Sequence, residues 1–159
     1  MITEKDREFI NRAIQLSEKG MDSNKGGPFG AIVVRDNVVI AAGVNQVTSK
    51  NDPTAHAEVV AIRKACEKLK TFQLEDCVIY TSCEPCPMCL GAIYWARPKA
   101  VYYACTKEDA AMIGFDDNFI YNEINKKIEE RNIKFINLNR EEGNEVFKKW
   151  KEKEGKIKY

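Results

Sequence analysis

A chain of 159 residues in which helix-patterned and β-branched segments alternate predicts a single α/β domain, a three-layer α/β/α sandwich around a mixed five-stranded sheet. Three observations carry this. Apolar residues recur at helical spacing near both ends and after Pro53, and short β-branched runs lie between them. The Asp36-Asn37 pair joins two such runs and asks for a hairpin, so those strands are antiparallel. A strand, helix, strand order over residues 77–105 asks for a crossover, so those strands are parallel.

Taken in order, Thr3 with Asp6 reads as the capped start of a helix whose face carries Phe9, Ile10, Ala13 and Ile14, and Gly20 ends it. Residues 29–35 and 38–42 are the hairpin strands. A polar stretch over 45–53 ends in proline, and Thr54 then caps a second helix carrying Val59, Val60, Ile62 and Leu69. Residues 77–81 form the third strand and a short helix spans about 86–95, with Pro98 marking its exit. Residues 100–105 are the fourth strand, 118–131 a helix, 133–138 the fifth strand, and 140–154 a lysine-rich last helix.

Lys and Arg number 25 against 24 Asp and Glu, which argues against a global nucleic-acid surface and against an acidic disordered chain. No run approaches the roughly 18 apolar residues of a membrane span, and the N-terminus lacks signal-peptide character, so a cytoplasmic protein is expected. In that reducing setting the six cysteines point to metal binding. Cys83, Cys86 and Cys89 cluster, while Cys66, Cys77 and Cys105 read as small buried hydrophobes.

The chemistry lies in His56-Ala57-Glu58 and Pro85-Cys86-Pro87-Met88-Cys89. One imidazole and two thiolates give a metal such as zinc three ligands and leave a fourth tetrahedral position open, the mark of a catalytic site. Each half sits at a predicted helix start, where free N–H groups favour a thiolate, and Cys86 and Cys89 at i and i+3 share a face. His56 and Glu58 are two apart, which mid-helix would send them to opposite sides, so both must project from the irregular first turn. Glu58 is then not a ligand but the group that moves protons between a water, a ring nitrogen and departing ammonia.

Blander readings accompany these. Cys83 as fourth ligand would close a structural Cys3His site and make the chain a zinc-stabilised binding module. The Cys83, Cys86, Cys89 spacing also resembles the start of an iron-sulfur run, but no fourth cysteine follows through Trp95. Phe29, Trp95 and Phe115 read as core aromatics, Asn45 as a turn residue, and Asp116 with Asp117 as a solvated loop or cap. The terminal lysines read as a solvated face or a phosphate contact.

Together with the metal motif, the stretches Gly26–Ala31, Asn51–Glu58, Tyr80–Ala96 and Gly114–Asp117 resemble the cytidine deaminase-like superfamily over nearly the whole chain, and within it the bacterial guanine deaminases. The resemblance implies one zinc ion per chain on His56, Cys86 and Cys89, with Glu58 as proton shuttle. It further implies a purine held by Asn45 and Phe29, with Ala57, Trp95 and Asp117 lining the site and Asp117 reading or protonating the ring edge opposite the metal. The implied reaction is hydrolytic deamination of guanine to xanthine; tRNA adenosine deaminases and cytosine deaminases share the metal chemistry. The resemblance also implies a homodimer in which a segment of about 140–159 is exchanged, so that Tyr159 closes the partner's site.

Overall fold

Helix α1 (Glu4–Asp22) begins as expected: the Thr3 hydroxyl accepts from the Asp6 N–H while the Asp6 carboxylate accepts from the Thr3 N–H. It runs past Gly20 to Asp22, because the Ser23 hydroxyl closes its last turn on the Lys19 carbonyl. This computed structural model describes residues 2–159, in two compact units, residues 2–117 and 118–159.

In the first unit, β1 (Gly30–Arg35) and β2 (Val38–Val44) are antiparallel, and Asp36 and Asn37 both take positive φ, 51° and 60°, as a two-residue turn matched to strand twist requires. β3 (Val78–Cys83) pairs antiparallel with β1 and parallel with β4 (Ala100–Cys105). The sheet is mixed as expected, but it has four strands in the order β2-β1-β3-β4. The expected fifth strand, 133–138, joins no ladder. Ile133, Phe135, Ile136 and Leu138 are exposed, and β-propensity without a neighbouring pleated surface does not make a strand.

Strand alternation builds two cores. Ala31, Val33 and Ile79 pack with α3 (Ala57–Leu69) and α4 (Pro87–Ala96), whereas Ile32, Val34 and Tyr80 pack with Phe9 and Ala13 of α1. The α1 side is pinned by Tyr80, whose hydroxyl donates to the Asp6 carboxylate at 2.6 Å and whose ring stacks on Tyr102 at 5.0 Å. On the other side α3 lies almost on the backbone of β2. A Cβ on Gly43 would stand 2.2 Å from the Ala57 carbonyl oxygen, so only glycine admits the first turn of α3 at this depth.

Several boundaries differ from expectation. Thr54 does not cap α3; its N–H and hydroxyl are both taken by Asp52, and His56 is the N-cap instead. Two short helices, α2 (Val47–Lys50) and α5 (Lys107–Met112), were not expected. Cys77 is buried, but Cys66 is only half-buried and Cys105, at the end of β4, is exposed.

The second unit holds α6 (Asn118–Asn125), a 3-10 turn (Ile128–Glu130) and α7 (Arg140–Glu152). The single helix expected over 118–131 breaks because Glu123 accepts from Lys126 Nζ and from the Asn132 N–H at 2.7 Å, folding the chain back. None of its residues is buried.

Substituting Gly43→Ala forces α3 away from β2 and is expected to destabilise the protein by about 1–3 kcal/mol, the range of an overpacked core. Because His56 adjoins that turn, zinc affinity is expected to fall as well; urea unfolding and a zinc titration check both.

Candidate metal centre

Two helix starts converge here. His56 is the N-cap of α3, with extended backbone (φ −69°, ψ 154°), and Cys86 is the N-cap of α4, also extended (φ −64°, ψ 168°). Residues outside the helix proper escape its 100° rotation, so His56 and Glu58 turn to one cavity although they are two apart. Pro87 fits the first position of α4, where its missing N–H costs no hydrogen bond, and Cys89 follows one turn in.

His56 Nδ1 lies 3.5 Å from the sulfurs of both Cys86 and Cys89, and the three donor atoms all fall within 4.8 Å of one another. One nitrogen and two sulfurs at this spacing suit zinc and leave a tetrahedral position unfilled by protein. Among the described residues this is the one such group. Cys83 stands apart from it: its thiol donates to the Thr106 carbonyl at 3.4 Å, and burial pushes its pKa up to about 12. That arrangement removes the expected alternative of a closed Cys3His site.

The electrostatics favour an anionic sulfur at the cap of α4. Cys86 falls to about 4 because Cys89 donates to its sulfur and His56 faces it, with the Cys89 backbone N–H adding support. Cys89 is raised, since the two thiols hold one proton between them and Cys89 is the more buried. His56 is raised chiefly by its hydrogen bond to Cys86.

Glu58, in the first turn of α3, is 6% exposed, and burial pushes its carboxyl above the usual range. The Thr81 hydroxyl donates to Oε1 at 3.3 Å and Cys89 Sγ lies 3.5 Å from Oε2. Thr81 went unnoticed in the sequence. The signal available was strand parity, which puts it on the same face as Ile79, towards α3.

The remaining expected residues scatter more widely. Asn45 is buried, its Oδ1 accepting from the Val47 N–H at 3.1 Å, and a Cβ on Gly26 would stand 2.1 Å from that oxygen. Phe29 meets Phe115 edge-on at 4.9 Å, so Phe115 is not a core residue but part of a half-exposed aromatic pair. Asp117 is half-buried, and its carboxyl is raised by burial and by the charge of Cys86; it in turn raises His56. Ala57 is fully buried. Trp95, on α4, is exposed, as are Tyr94 and Leu90 of the same helix, and Tyr159 is exposed within the second unit.

Comparison with known proteins agrees with this donor set. Residues 3–105 match the family model of the cytidine and deoxycytidylate deaminase zinc-binding region. The chain is 57% identical to a guanine deaminase of Bacillus subtilis over 151 residues, covering 95% of this chain and 97% of that one. The X-ray structure of guanine deaminase from Bacillus subtilis superposes with a TM-score of 0.94 at 54% identity, covering 99% of both chains. A tRNA-specific adenosine deaminase of Aquifex aeolicus is 35% identical over 106 residues, 66% of this chain and 70% of that one. Match length, fold and donor set thus agree, and the chain belongs to the cytidine and deoxycytidylate deaminase family of zinc-binding deaminases.

Proposed function

We propose that this chain is a zinc-dependent guanine deaminase, converting guanine and water to xanthine and ammonia in purine breakdown or salvage. The observation that carries the reading is a buried carboxyl, Glu58, set beside a three-donor group that leaves one position open, in a chain similar end to end to a guanine deaminase. His56, Cys86 and Cys89 would hold the zinc, which when bound would act as a Lewis acid and lower the pKa of water from about 15.7 to about 7.

The chain's own residues do the rest. The Glu58 carboxyl takes the proton of the attacking water, delivers it to the ring nitrogen beside the amino-bearing carbon, and passes the next to the departing ammonia. Its burial, which favours the protonated form, suits it to hold that proton between steps. Asp117, within electrostatic reach of His56 and Cys86, accepts from a ring N–H of guanine. Asn45 has its oxygen committed to Val47, which leaves its amide N–H₂ to donate to the purine; Phe29 packs on the ring plane. Ala57, at the first position of α3, offers a backbone N–H that no helical carbonyl can take.

The working form proposed is a cytoplasmic homodimer with the chain acting as one domain. The exposure of Trp95 and Tyr94 on α4, and of Ile133, Phe135, Ile136, Leu138 and Phe147 in the second unit, supports a second copy as their cover. In this reading residues 140–159 are exchanged, and Trp95 and Tyr159 complete the site that reads the substrate. Six free cysteines fit a reducing compartment, and no helix among the described residues is long and apolar enough to cross a membrane.

Ammonia release from guanine, adenine, cytosine, their nucleosides and a tRNA stem-loop tests the reading; guanine-selective release is expected, and release from the stem-loop alone overturns it. Glu58→Gln is expected to keep about one zinc per chain while activity falls about 100-fold or more. Asp117→Asn is expected to raise KM for guanine with zinc intact, whereas Cys89→Ser is expected to lose its zinc on dialysis against a chelator that leaves the parent loaded. Exchange is read by mixing refolded chains, one Glu58→Gln and one lacking Tyr159. Activity returns only if the first chain's tail closes the second chain's site.

A further inference from the structure

We infer that Thr81 is the positioning residue for Glu58, its hydroxyl fixing the carboxyl in the orientation from which it carries the proton. The inference rests on the deaminase reading above. Thr81 is 1% exposed in the middle of β3, paired with Ala31 on one side and Tyr103 on the other. By strand parity its side chain leaves the sheet on the face of Ile79 and of its paired Ala31, the face that packs against α3 and α4 in an apolar cluster.

Valine would fill the same volume there with at least equal β-propensity. A hydroxyl buried without a partner is destabilising, so the oxygen needs its hydrogen bond. That bond goes to Glu58 Oε1, at 3.3 Å. The other oxygen of Glu58 faces Cys89, whose sulfur belongs to the metal set, at 3.5 Å. Thr81 is therefore the side chain outside the metal set that holds the carboxyl from the sheet below.

A glutamate has three rotatable side-chain bonds, and in the first turn of α3 its own backbone N–H also reaches the carboxyl but leaves the two oxygens to be told apart by their other partners. The Thr81 hydroxyl selects one arrangement of them before any substrate arrives, and that arrangement leaves Oε2 on the metal side. Thr81 belongs neither to the three-donor group nor to the aromatic pair, so its loss is expected to bear on proton transfer and not on binding.

Thr81→Val, Thr81→Ser and the parent, each zinc-loaded, separate this from plain packing. Thr81→Val is expected to lower kcat about 10- to 100-fold, the worth of a hydrogen bond to a charged group, with KM within about twofold and about one zinc per chain. Thr81→Ser, which keeps the hydroxyl, is expected to stay within about threefold of the parent. A Thr81→Val protein with parental kcat overturns the inference, as does a Thr81→Ser protein that falls as far as Thr81→Val. If the parent acts on a base other than guanine, the guanine reading fails and the same comparison is made with that base. Urea unfolding of Thr81→Val with and without Glu58→Ala gives a readout independent of turnover. Thr81→Val is expected to shift the folding equilibrium about fivefold or more further when Glu58 is present, and equal shifts overturn the inference whatever the substrate.

Discussion

Everything at the metal centre depends on a backbone constraint, that His56 and Cys86 each occupy the N-cap of a helix and not its interior. An N-cap residue keeps extended dihedrals while the next residue is already helical. This half-in position lets His56 and Glu58, two apart, face one cavity, and lets Cys86 and Cys89 meet as a cap and third-position pair do. It also brings two helix N-termini, with their partial positive charge, to the place where thiolate charge must be held.

The sheet makes that convergence possible. β3 and β4 run parallel with α4 crossing between them, while β1 runs antiparallel to β3, so the turns leading into α3 and α4 meet at one side of the α3–α4 layer. Depth is then set by small residues: Gly43 brings β2 up to the first turn of α3, and Ala57, Ala61 and Ala65 continue the close contact along the helix. The metal donors and Glu58 are thus fastened to the buried core, whereas Phe29, Phe115 and Asp117 lie in half-exposed loop segments.

The sequence revealed what local chemistry dictates. His56, Cys86 and Cys89 were legible because few donor patterns suit zinc, and the Asp36-Asn37 hairpin because few pairs tolerate two positive φ values. What depends on a distant neighbour was not legible. Residues 133–138 look like a strand, yet a strand needs a ladder partner, and β-branched composition cannot supply one. Thr54 looks like a helix cap, but Asp52 has a prior hold on its hydroxyl. Thr81 looks like one more β-former, and its meaning appears only when α3 is laid over β3 and a carboxyl is found above it.

The division between a core-fastened donor set and half-exposed loop segments bears on how such a protein can change over time. His56, Glu58, Cys86 and Cys89 sit where a substitution disturbs helix starts, sheet contact and metal together, so drift there is heavily penalised. Asp117 and Phe115 sit in less buried segments, where a substitution disturbs less packing, whereas Phe29 also packs against the α3–α4 core. Lineages descended from one ancestor can therefore vary these loop residues while inheriting the donor set and the helix starts that carry it unchanged.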